Sequence, residues 1–282
     1  MIIQEQGDNL IVIRQTDHAV LAGFFARHWG NDLFVRPEPF DSFCLATCEH
    51  DNGWREWELL PEIDPATFSP YTFMSIPTEA HTMLYQQGIE RIVRADHYAG
   101  LLASMHAAGL YDRSRATLPG FSAKYVKSNE SHIVSDFVQR LRLQQLRLKV
   151  DLRANPAMKA FTEEKSLKLN LQRLEALDRL SLYFCLGPLD DSTIDAVPVD
   201  DVDREVDWEL RPDPVNKALV TLDPYPFRKD PFAFSVLARR IPKRRYADDA
   251  ELQKTLAQAK YFALNFTLSA GGANAHSRAA RA

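Results

Sequence analysis

Cysteine is scarce, with only Cys44, Cys48 and Cys185 in 282 residues. An odd number without paired spacing argues against a disulfide framework and fits a reducing compartment. Cys44 and Cys48 stand one helical turn apart, but a zinc site would need two more soft ligands beside them, so they read as small core residues. Neither sign of charge dominates. Lys+Arg total 34 against Asp+Glu 38, a net charge of -4, which provides no basic field for nucleic acid or an anionic bilayer. No apolar run reaches the roughly 18 to 20 residues needed to span a bilayer. The opening MIIQEQGDNLIVIRQ lacks the charged-then-apolar order of a signal peptide, and there is no internal repeat. The expectation is a cytoplasmic protein with no nucleic-acid and no membrane partner. The remainder, 45% hydrophobic and 26% charged, is globular composition for one large domain or a core with an appendage.

The local patterns change character along the chain. Asn9 to Arg14 reads as a strand. Asp17 can cap a helix carrying Val20, Leu21, Phe24, Phe25 and Trp29, with Gly30 beyond its end. A second helix is expected from Asp41 to His50, then a proline-rich loop from Pro61 to Pro77. Pro77 suits the first position of a helix to about Gln87, and Ile89 to Leu110 reads as one long amphipathic helix. Two more are expected, Glu130 to about Leu152 and Pro156 to about Leu186. After Gly187-Pro188 prolines multiply and short alternating runs appear at 206–210, 218–222, 232–238 and 262–268, with a helix over 249–260 before the last. The reading is mainly α: a helical body over 1–189 that includes the N-terminal strand, a small β-rich appendage over 190–270 packed on it (α+β overall), and a disordered tail over 271–282.

The chemistry sits in histidines on apolar stripes, because a buried imidazole needs a partner. His18 shares a helix face with Leu21, Ala22 and Phe25. His50 ends the second helix and is followed by Asp51. His81 lies with Leu84 and Tyr85, and His106 with Tyr98, Leu102 and Leu110. Asp178 is the sharpest anomaly, an acid between Leu174 and Leu182 in a stripe that is otherwise leucine. A lone carboxylate there is costly unless paired or bound to a cation. Four imidazoles and two carboxylates make a nitrogen-and-oxygen set that suits two divalent transition-metal ions, iron or manganese, with zinc as a further choice. His97 and His106, nine positions apart, point to opposite faces of one helix, so both cannot ligate one site. Whether His81 or His97 completes the set stays open; His81 is preferred, since its distance from His106 suits two successive helices meeting at one centre. His28 and His132 read as ordinary helix-end residues, and His276 takes no role.

The order His18, His50-Asp51, His81, His106, Asp178 resembles the HD superfamily of helical metalloenzymes. The strings DHAVLAGFFARHWG, EHDNGW, DHYAGLLASMHAAGLY, LEALDRLSLYFC and LDPYPF also resemble a bacterial family known only as a domain of unknown function, over nearly the whole chain to about Leu268. The superfamily resemblance implies an HD-like bundle of about five core helices around one or two metals. His18, His50, Asp51 and Asp178 would match the basic ligand set, and His81 and His106 the pair that completes a second site. Many members read His-Asp-x-Gly-Lys; here Trp54 stands where that lysine would be.

Three functions are weighed. The first is hydrolysis of a phosphoester on a small-molecule substrate, with Asp51 bridging two metals and cationic help from Arg14, Arg55, Arg91, Arg94 or Lys124; Asp51, Arg55 and Lys124 are the catalytic candidates. The second is oxygen chemistry at a di-iron centre on a small organic substrate, which the missing lysine and the aromatics Trp29, Trp54, Trp57 and Tyr98 would suit. The third is a non-catalytic binding protein that kept the metal site and works through Arg239, Arg240, Lys243, Arg244 and Arg245. A homodimer is left open.

Overall fold

The computed structural model describes residues 1–111, 131–202 and 204–271. Its first two strands, β1 (Ile2–Gln6) and β2 (Asn9–Ile13), form an antiparallel hairpin. Gly7 turns it at φ +57, a left-handed conformation that costs a glycine little. Helices α1 (Gln15–His28) and α2 (Phe40–Glu49) follow, then two short 3-10 turns (Asn52–Trp54 and Trp57–Leu59) and the small β3–β4 pair (Ile63–Asp64 and Ser69–Pro70). Next come α3 (Thr78–Ala95), α4 (His97–Leu110), α5 (Ser131–Ala154), the short α6 (Pro156–Lys159) and α7 (Glu164–Leu186). The chain then runs through β5 (Ser192–Pro198), β6 (Glu205–Pro212), β7 (Leu219–Asp223), β8 (Phe232–Pro242), α8 (Asp249–Gln258) and β9 (Tyr261–Ala270).

Seven strands join in one curled mixed sheet, in the order β1-β2-β8-β9-β7-β6-β5. Every pairing is antiparallel except β7 with β9. This overturns the reading of a mainly-α, HD-like helical bundle with a small β-rich appendage: the architecture is α+β, with the sheet a principal layer. The physical reason is long-range pairing. Leu10 of the N-terminal hairpin lies opposite Ile241 of β8, so strands from both ends of the chain make a single sheet. Alternation along β8 and β9 sends Phe232, Phe234, Leu268 and Phe266 to one face. There Phe184 of α7 meets Phe234 at 4.9 Å and Phe266 at 5.1 Å between ring centroids, and Phe25 of α1 meets Phe234 at 5.1 Å. One hydrophobic core therefore runs from Ile13 and Phe25 through Leu174 to Trp208 and Val236, across the boundary expected near residue 190. On the other face α8 covers the β2–β8 pair with Leu252 and Leu256 against Leu10, Val12 and Ile241.

Local corrections have local causes. The helix expected to run unbroken over 89–110 is split at Asp96, which leaves helical geometry and caps α4 through the Ala99 N–H at 2.8 Å. Pro77 sits just outside α3 rather than at its first position. The helix expected over 156–186 breaks at Glu163, which is extended. Strands β1 and β5 and the β3–β4 pair were not anticipated. No described helix is long and apolar enough to cross a membrane. The tail from 272 lies outside the described residues.

Candidate metal centre

Four helices converge below the sheet. His18 lies two turns before Phe25 on α1, so the apolar spacing that packs α1 also turns the imidazole inward. His50 immediately follows α2, with Asp51 next to it. His106 comes from α4 and Asp178 from the leucine seam of α7. All five are buried, Asp178 being the most accessible at 8%. The Asn52–Trp54 turn that carries His50-Asp51 is pressed against α3. A Cβ on Gly53 would stand 1.9 Å from the Leu84 carbonyl oxygen, and one on Gly88 would stand 2.8 Å from the Gly53 nitrogen. Two glycines thus permit a backbone-to-backbone approach that fixes where the His-Asp pair points.

Two triads of potential ligands form, His18–His50–Asp51 and His50–His106–Asp178, with ligand atoms in each within 4.8 Å of one another. Hydrogen bonds on the far side of the rings assign the tautomers. His50 Nδ1 donates to the Thr47 carbonyl at 2.8 Å, because a carbonyl can only accept. The Ser181 hydroxyl donates to the Asp178 main-chain carbonyl at 2.8 Å and so can only accept from His18 Nδ1, 2.9 Å away. Both imidazoles therefore turn Nε2, bare in the neutral ring, toward carboxylates: His18 at Asp51 Oδ2 at 2.9 Å, and His50 at Asp178 Oδ1 at 3.4 Å. His106 Nε2 faces Asp178 Oδ2 at 3.8 Å. Among the described residues, His50 Nε2 and Asp178 Oδ1 find no hydrogen-bond partner.

Acceptors facing acceptors in a buried site are costly unless a proton or a metal ion stands between them. Burial works against a charged His50, but the carboxylates of Asp51 and Asp178 overcome it and raise its pKa to about 9. A proton there covers one such contact and leaves the others. Burial also works against both carboxylates, yet the neighbouring histidines, led by His50, hold Asp51 and Asp178 below the usual carboxylate range. Burial pushes His106 down to about 4 and His81 to about 3. The imidazole and carboxylate donors, with His18, His50 and Asp51 braced from behind, fit transition-metal ions.

The opposed shifts give a pH dependence to the metal-free protein. His106 and His81 take protons in the unfolded chain below about 6.5 that they refuse when folded, so stability falls as pH drops from 6.5 toward 4. His50 behaves oppositely: its contribution is complete below 6.5 and is lost as pH rises through about 9. Denaturant melts of metal-free protein at several pH values should peak near pH 6.5, with slopes on the order of 1.4 kcal/mol per pH unit per group. A profile flat from pH 4.5 to 9 would contradict this arrangement.

His18, His50, Asp51, His106 and Asp178 are brought together as the sequence suggested. His81 is close but belongs to neither triad. Its Nδ1 is hydrogen-bonded to the Tyr111 hydroxyl, and its ring lies 4.9 Å from Tyr85 and 5.5 Å from Trp54. His97 is exposed at the start of α4. Arg55 turns to solvent and pairs with Glu49 at 3.4 Å, Arg14 is held by Asp17, and Arg91 by Glu56 and the Asn52 carbonyl. Arg94 is exposed beside Glu90. Lys124 lies outside the described residues. Of the basic cluster on β8 and after it, Lys243 pairs with Glu5, Arg244 with Glu251, and Arg239 donates to the Leu256 carbonyl. Cys44 and Cys185 are buried free thiols, and burial lifts Cys44 to about 11.

Sequence reasoning missed the bracing residues. Gln15 Nε2 donates to Asp51 Oδ2 at 3.0 Å and Tyr85 OH to Asp51 Oδ1 at 2.8 Å. Glu58 is nearly inaccessible and accepts from the Gln15 N–H at 2.6 Å, which anchors the start of α1. Only Ser181 carried a signal, since it follows Asp178 by three positions on the same helix face. Replacing Ser181 with Ala strips His18 of its brace and should weaken metal binding about 10- to 100-fold. Equilibrium dialysis against a chelator checks this, with a thermal melt of the metal-free variant to establish folding.

The molecule is thus an α+β protein with a buried His/Asp cluster where four helices meet beside a curled sheet. It belongs to the family described as Protein of unknown function (DUF3891), which matches residues 1–243. No curated protein and no solved structure matches the chain.

Proposed function

We propose that this chain is a metal-dependent enzyme that hydrolyses a phosphoester on a small-molecule substrate, using a binuclear His/Asp centre of the kind its HD-superfamily resemblance implies. The observation that carries this reading is the convergence of imidazole nitrogens and carboxylate oxygens of His18, His50, Asp51 and Asp178 in a buried site. When bound, two divalent ions supply Lewis acidity, which lowers the pKa of a coordinated water and offsets charge developing on phosphoryl oxygens. Charge balance favours an anionic substrate, because Asp51 and Asp178 together neutralise only half the charge of two divalent ions. The residues of the chain do the rest. His18, His50 and His106 contribute neutral donors, Ser181 and the Thr47 carbonyl hold two of those rings in register, and Gln15 and Tyr85 fix Asp51. Trp54, His81 and Tyr85 form an aromatic wall beside the cluster.

That wall also favours a second reading, a di-iron oxygenase acting on a small organic substrate. No hydrogen bond or ion pair joins a lysine or arginine to the cluster among the described residues, so the side chains set no further cation beside a neutral or ring-bearing substrate. Metal analysis of purified protein followed by two assays separates the readings. Manganese-, iron- or zinc-dependent cleavage of an aryl phosphomonoester or phosphodiester supports hydrolysis. About two irons per chain with visible absorption and oxygen uptake supports the oxygenase. A chain that takes up no metal leaves a binding protein.

A further inference from the structure

Sheet pairing brings two of the arginines singled out in the sequence to one aromatic ring. Arg239 of β8 lies opposite Tyr261 of β9 on one side and Val12 of β2 on the other, and Arg14 leaves the end of β2 two residues after Val12. Both guanidiniums stand over the Tyr261 ring, Arg239 at 5.0 Å and Arg14 at 5.9 Å from its centroid. With Leu59, Leu256 and the Glu58 carboxylate they line a cavity of about 200 Å³. None of the His/Asp cluster lines it.

The charges around this cavity are matched except at one place. Arg14 grips Asp17 along one edge of its guanidinium, Nε to Oδ2 and Nη2 to Oδ1, both at 2.8 Å. Glu58 accepts from the Gln15 N–H at 2.6 Å and the Thr16 hydroxyl at 3.2 Å, and it faces the Met1 amino group at 3.5 Å. Arg239, withdrawn from most solvent, donates from Nη1 to the Leu256 carbonyl at 3.0 Å and forms no ion pair among the described residues. Its Nε and Nη2, the edge by which Arg14 holds a carboxylate, meet no acceptor there. That fork matches a carboxylate in shape as well as charge. One unmatched positive charge also calls for one negative charge. A phosphate monoester, at about -1.5 to -2 near pH 7, would leave surplus charge beside Glu58 and Asp17. The volume lies below the roughly 300 to 1,000 Å³ of sites for drug-sized ligands, so the occupant is small. We infer that this cavity is a binding site for a small carboxylic acid, its carboxylate paired with Arg239 and its apolar body against Tyr261 and Leu59, both of which are exposed.

The test uses the full chain stripped of metal by a chelator, so that no ion in the His/Asp cluster can hold the probe. Benzoate is titrated against wild type beside benzamide, which has the same shape without the charge, and inorganic phosphate, with binding read by calorimetry and by saturation-transfer NMR. Benzoate should bind at least about tenfold more tightly than either, and Arg239→Gln should weaken it by at least about tenfold. Arg240→Gln is the control, since Arg240 stands over Phe262 and is not part of the cavity wall; it should leave benzoate affinity within about threefold of wild type. Benzoate binding no tighter than benzamide or phosphate, or undiminished in a folded Arg239→Gln, overturns the inference. The wild-type comparison alone can refute it, so a poorly folded variant does not protect it. With metal absent throughout, either result leaves the proposed function where it stands.

Discussion

Asp178→Asn is expected to cost the protein its metal: ions retained after gel filtration should fall to background, and affinity should drop by at least about 100-fold. The reason lies in what the carboxylate faces. Asp178 offers Oδ1 to His50 and His18 and Oδ2 to His106, and it supplies half of the carboxylate charge in the cluster. Asparagine keeps the shape but replaces one oxygen by an NH2 that cannot ligate. A second readout avoids any dependence on activity. Saturating metal should stabilise wild type by about 3 to 4 kcal/mol at 100 to 1,000 times the dissociation constant, because the folded state alone has the site. Adding Mn(II) or Zn(II) should leave the melting temperature of Asp178→Asn unmoved. Wild-type metal content in that variant would remove the basis of the proposed function.

Asp178 also shows why part of the centre was legible before any coordinates. Helical periodicity makes an acid in a leucine seam conspicuous, and the same arithmetic put His18 and His106 on buried stripes and His97 off them. Those positions depend only on the helix they sit in. What periodicity cannot supply is the approach of one element to another. Tyr85 looks like one more aromatic on the inner face of α3, and Gln15 like a polar residue at a helix start. Both matter because α1, α3 and the turn after α2 come together around Asp51. His81 illustrates the converse: its stripe is buried as expected, but the ring meets Tyr111 and Trp54 and enters neither triad.

The fold class went astray for the same reason at larger scale. Alternation marked four of the C-terminal strands, yet nothing local in NLIVIR reports that it pairs with a strand more than two hundred residues away. Without that pairing the strands look like an appendage; with it they become a sheet against which α1 and α7 pack. The sheet is thus part of the centre's support, since Phe25 and Phe184 seat on it the two helices that carry His18 and Asp178.

Gly53→Ala is expected to be the most damaging glycine-to-alanine substitution among the described residues. The added methyl carbon would fall 1.9 Å from the Leu84 carbonyl oxygen and 2.7 Å from its carbon. These are backbone atoms of α3 and cannot swing aside as a side-chain tip could. The turn and helix must separate, which breaks the packing of Gly53 on Gly88 and moves His50-Asp51 with it. Overpacking against backbone should cost about 3 kcal/mol or more. For a chain of this size that lowers the melting temperature by roughly 6 to 12 °C. Metal affinity should fall as well, because the ligands ride on the displaced turn. Gly109→Ala in α4 is the matched control: its new Cβ would meet only Glu175 Oε1 at an ordinary 3.4 Å, and alanine in a helix should add about 0.5 to 1 kcal/mol. Equal melting temperatures for the two variants would show that the close approach of the His-Asp turn to α3 does not hold the centre in place.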